Sequence, residues 1–174
     1  MDFKSKIAHL IQLIVIGCLT YFIHELAHYY AHLSLGHTVD FKINRMDLID
    51  PTKISSGWKQ GWVAGSGVLI TFLQGSVAYV LLIKRPLMLW FNILLSSFTL
   101  RFAAALLGLV KSSDEIKTSI ALGLPPYGLT IVLLGLLMYF VLRAQKQMGI
   151  KTTTVFIHFI LLFGTTYLFS LLEF

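Results

Sequence analysis

The chain has 174 residues and a net charge of +6, from 14 Lys and Arg against 8 Asp and Glu. Apolar residues make up 56% and charged residues only 13%, about half the roughly 25% of an average soluble domain, and the mean hydropathy is +0.78. An ordinary soluble globular protein is thereby excluded, and the composition argues for an all-α polytopic membrane protein of five or six spanning helices at about 20 residues each.

The basic residues sit in the gaps between apolar runs, so lipid headgroups and membrane topology account for them and no nucleic-acid partner is implied. The single cysteine, Cys18, rules out an intrachain disulfide. After a short polar start, residues 7–35 read as one retained helix. At 1.5 Å per residue it is roughly 43 Å long, more than the roughly 30 Å hydrocarbon core. Gly36 and His37 end it. Val39, Phe41 and Ile43 then alternate with Asp40, Lys42 and Asn44, the period of a strand. Pro51, Ser55, Ser56 and Gly57 break that pattern, so a short hairpin or interfacial loop is expected after the first span.

Four more spans are expected, at about 61–83, 87–110, 120–142 and 154–172. The second opens with the glycine-rich run from Gly61 to Gly67, and the third carries Arg101 inside it. Pro125-Pro126 interrupts the fourth, which is either one helix or a turn followed by a helix from about Tyr127. Arg143 to Lys151 reads as a polar loop. The whole of 1–174 is expected to be a single integral membrane domain. With five spans, seven basic residues flank one side and six the other, which leaves orientation open under the positive-inside rule.

The chemistry is concentrated in His24-Glu25-Leu26-Ala27-His28, an H-E-x-x-H pattern. Residues four apart share a helix face, so both imidazoles can reach one metal ion at about 2.0–2.1 Å. Glu25 projects to the side, where a carboxylate can take the proton of a water that the metal has acidified. The motif stands roughly 25 Å along the helix from Ile7, within or close to the membrane. An ionisable residue at a span centre costs about 2.5–3.5 kcal/mol, and a bound metal in a water-accessible cavity would offset that. The bland alternative is a chance motif at the helix exit.

A tetrahedral catalytic zinc needs a third protein ligand and an open fourth position. His32 continues the four-residue spacing but lies about 12 Å from His24 along the axis, too far for one straight helix to supply all three ligands. Asp114 is the better candidate, because two intervening spans return the chain to the correct side just before it. Glu115, Asp40, Asp47 and Asp50 are rivals, and Ser112-Ser113-Asp114-Glu115 also reads as an ordinary loop or N-cap. Gly57, Gly61, Gly65 and Gly67 suit either close helix packing or a segment that admits a substrate backbone, including a re-entrant loop. Gly65, Gly67 and Arg101 are therefore candidate substrate-binding residues, with local pairing the alternative for Arg101. His9, His37 and His158 read as interfacial or packed.

A first helix bearing HELAH, the following Ala64-Gly65-Ser66-Gly67 and an Asp just after a later span together resemble the site-2 protease family, the intramembrane zinc metalloproteases. The resemblance covers roughly residues 15–125. It implies Zn2+ held by His24, His28 and Asp114, with Glu25 as general base. It also implies a membrane-anchored protein as substrate, hydrolysed at the bilayer, here expected to be a prokaryotic cytoplasmic membrane. The rival class is a non-enzymatic metal or haem carrier or transporter using the same in-membrane His cluster.

Overall fold

The computed structural model describes residues 3–42, 45–48, 57–110 and 112–171. The chain is all-α, with five helices long and apolar enough to cross a membrane. In order they are α1 (Phe3–Ser34), α2 (Trp58–Lys84), α3 (Met88–Gly108), α5 (Gly128–Met148) and α6 (Thr152–Leu171), with a short α4 (Asp114–Ala121) before α5. Between α1 and α2, β1 (Val39–Lys42) and β2 (Arg45–Leu48) pair antiparallel, with Val39 opposite Leu48 and Lys42 opposite Arg45. The alternation from Val39 onward therefore forms a strand; Ile43, Asn44 and the break expected at Pro51, Ser55 and Ser56 lie outside the described residues.

The helix α3 is central. Of its most apolar stretch 61% is buried, against 17–33% in the other four spans. Phe91, Leu94 and Leu95 on α3 meet Leu13 of α1, Leu82 of α2, Leu137 of α5 and Leu162 of α6 in one core. The outer faces remain apolar, with Ile11, Val15, Leu73, Val77, Ile131 and Leu168 among the exposed side chains. In water such a surface would aggregate; in a bilayer it is solvated by lipid tails. The chain is thus a multi-pass membrane protein.

Two expected boundaries need correction. The fourth span runs from Gly128 to Met148 rather than 120–142, and of the two expected forms it is the helix from about Tyr127 that is present. Residues 114–121 form the separate α4, and Gly123 and the Pro125-Pro126 pair end it, since proline cannot continue a helix. The expected polar loop from Arg143 is helical through Met148. Arg143 and Lys146 can keep their stems against the helix and their charges in the headgroups, and cations suit a helix C-terminus.

The spans alternate in direction. The ends of α1 and α3, the start of α2 and all of α4 consequently gather on one side of the bundle.

Candidate metal centre

His24 and His28 face the same side of α1, with their rings 4.6 Å apart and their Nε2 atoms 3.1 Å apart. Asp114, the first residue of α4, points its carboxylate at both. Its Oδ2 lies 3.6 Å from His24 Nε2 and 3.2 Å from His28 Nε2. Among the described residues this is the one group of three or more His, Cys, Asp or Glu side chains close enough to hold a metal ion. Ligand atoms at 2.0–2.1 Å from a tetrahedral zinc stand about 3.3–3.4 Å from each other, so the three observed separations suit one shared ion.

The hydrogen bonds around the cluster support the same fit. His28 Nδ1 donates to the Val63 carbonyl at 2.7 Å. The Thr71 hydroxyl donates to the Gly67 carbonyl at 2.8 Å and can therefore accept from His24 Nδ1 at 3.3 Å. His28 thus has its Nδ1 proton directed outward, which turns its Nε2 lone pair toward its neighbours; His24 Nδ1 faces both the Thr71 hydroxyl and the Arg101 guanidinium. Burial pushes the Asp114 carboxyl up, but its hydrogen bonds with His24 and His28 more than reverse this and hold it well below the ordinary carboxylate range. Two imidazole nitrogens and a carboxylate oxygen then converge. One cation shared by all three would balance the carboxylate charge and the converging lone pairs.

Gly67 makes this approach possible. A Cβ there would collide with His24 Cε1 and come within 2.5 Å of His28 Nε2. Gly61 and Gly65, four residues apart, serve a different neighbour. A Cβ on Gly61 would collide with Ala121, and one on Gly65 would lie 3.1 Å from Thr118 Cγ2. These two glycines let α4 lie close along α2, which brings Asp114 to the histidines. The glycine run is unbroken helix, so the re-entrant loop considered from sequence does not form.

Arg101 and Glu115 complete the support. Both are about 1% exposed, and Arg101 Nη1 donates to Glu115 Oε1 at 2.8 Å. Arg101 Nη2 also lies 3.1 Å from His24 Nδ1 and 3.4 Å from its Nε2. Successive helix residues point about 100° apart. On α4, Asp114 accordingly turns to the histidines while Glu115 turns to Arg101. The pairing of Glu115 with Arg101 leaves it outside the ligand set.

Glu25 lines a cavity of about 560 Å³ together with Tyr21, His24, Arg101, Asp114 and Thr166. Tyr21, one turn earlier, hydrogen-bonds it. His32 takes no part in the cluster; its Nδ1 lies 3.0 Å from His37 Nδ1. Asp40 is exposed, while Asp50 and the side chain of Asp47 lie outside the described residues. Gly65 faces a separate apolar cavity of about 390 Å³, away from Glu25. Sequence reading allowed local pairing for Arg101 but did not name Glu115 as its partner; a charge inside an apolar run, which needs a partner, was the available signal.

Comparison with protein-family models, curated proteins and solved structures gave no match.

Proposed function

We propose that the chain is an intramembrane zinc metalloprotease of the site-2 type, hydrolysing peptide bonds of membrane-anchored proteins, in a prokaryotic cytoplasmic membrane. The observation that carries the reading is the convergence of His24, His28 and Asp114 beside a cavity that His24, Asp114 and Glu25 line. His24, His28 and Asp114 would hold the zinc, which when bound supplies Lewis acidity and lowers the pKa of water.

The chain's own groups do the rest. Glu25 accepts a proton from the attacking water on its carboxylate and returns it to the departing amine nitrogen. Tyr21 holds that carboxylate in orientation. Arg101, fixed by Glu115, positions the His24 ring. The cavity also carries apolar walls, including Ala103, Ala104 and Phe163, which suit a substrate segment drawn from the bilayer. A metal or haem carrier would have no use for a carboxylate at position 25.

The test is Glu25→Gln, reconstituted in vesicles with a membrane-anchored protein substrate. Zinc should stay bound while hydrolysis falls at least about 10²-fold, the scale of lost general-base catalysis. Full hydrolysis by this variant would refute the mechanism.

A further inference from the structure

The last turn of α1 carries a second histidine pair that the inner centre does not use. His32 and His37 are 6% and 7% exposed, with ring centroids 5.3 Å apart and Nδ1 atoms 3.0 Å apart. The helix cap sets this geometry. His37 N–H donates to the His32 carbonyl at 3.1 Å, and Gly36 N–H to the Leu33 carbonyl at 3.0 Å. Gly36 has φ of +74°, in the left-handed region that glycine adopts without strain. This is the Schellman arrangement, which places the side chains at its two ends in contact.

Those two positions ordinarily hold an apolar pair. Here both are imidazoles, and their nitrogens are as close as those of His24 and His28, 3.1 Å apart. Two nitrogens on one tetrahedral zinc stand about 3.3–3.4 Å apart, so the backbone of the cap has already brought the pair to ligand spacing. His32 follows His28 by one helical turn, about 6 Å, toward the end of the span. The pair therefore lies between the inner centre and the membrane surface.

We infer that His32 and His37 form a second metal site, which captures a divalent transition-metal ion at the membrane surface one turn above the inner centre. It supplies two protein ligands, with water completing the shell. Catalytic and structural zinc sites use three or four, so this outer site binds more weakly and exchanges faster than the inner one. Its existence does not depend on the protease reading.

The test is a titration of the full-length protein in detergent, first stripped with a chelator, using Zn2+ alone. The natural chain should take up two ions, one tightly and one weakly. His37→Gln should lose the weak ion and keep the tight one. A chain carrying both His28→Ala and Asp114→Ala should keep the weak ion, and adding His37→Gln to it should abolish binding. Identical titrations of the natural chain and His37→Gln would overturn the outer site. A natural chain that binds a single ion, lost with His37→Gln but kept in the double variant, would sink the inner centre and leave the outer site standing. Should His37→Gln fail to fold, histidine-selective ¹⁵N NMR of the natural chain decides the same question. Zinc beyond the first equivalent should shift the His37 ring signals, and unmoved signals would overturn the proposal.

Discussion

Two imidazole pairs occupy opposite ends of the bundle with almost the same geometry. His24 and His28 have Nε2 atoms 3.1 Å apart and rings 4.6 Å apart; His9 of α1 and His158 of α6 have 3.1 Å and 4.7 Å. Their surroundings differ. The first pair has Asp114 against both nitrogens, outward partners for both Nδ1 atoms and Glu25 on the adjoining cavity. At the second pair no further His, Cys, Asp or Glu among the described residues joins to make a group of three, and His158 Nδ1 has no hydrogen-bond partner. Close imidazoles alone do not make a reaction centre. A third donor from another element and a neighbouring base turn the same spacing into a candidate reaction centre.

The sharpest way to break this contrast is Gly67→Ala. The added methyl enters the space of both ligand rings, so zinc retention and hydrolysis should both be lost, while the other end of the bundle is untouched. Elemental analysis of the purified variant checks this; a normal zinc content would show that the rings need no such clearance.

Next comes the tether. Glu115→Ala leaves the Arg101 guanidinium buried without its carboxylate, and removing one partner of such a pair costs about 3–5 kcal/mol. Thermal unfolding in detergent should show a large loss of stability. Zinc affinity should fall as well, since partners that hold ligands in place are typically worth about 10–100-fold. Unchanged stability would mean that the Arg101–Glu115 bond does not hold α4.

The smallest effect is expected at the far pair. His9→Ala removes one interhelical hydrogen bond, worth about 0.6 kcal/mol on average in a membrane, and should leave zinc content and hydrolysis unaltered. A loss of zinc there would erase the distinction between the two ends.

Much of this arrangement is legible in the sequence, because its signals are periodic or topological. Five apolar runs mark the spans, the four-residue spacing puts His24 and His28 on one face, and the alternation of direction points to Asp114. What stays hidden depends on side chains from distant segments. Arg101 is odd in its apolar run while Glu115 sits in a polar one, and nothing in their spacing says that they bond. Gly61, Gly65 and Gly67 have the same signature in the sequence, yet two admit α4 and one admits imidazoles, a difference set by which neighbour each faces. The end of α5 lies later than the sequence suggests because charge at a helix terminus looks like charge in a loop.

The central claim is that His24, His28 and Asp114 hold one ion together. Zinc content per chain, measured by elemental analysis after gel filtration in zinc-free buffer, tests it most directly across the natural chain, His28→Ala and Asp114→Ala. One zinc in the natural chain and almost none in either variant is the expected result. Zinc retained in Asp114→Ala at the natural level, with the variant folded, would contradict the assignment of the third ligand and with it the shared centre.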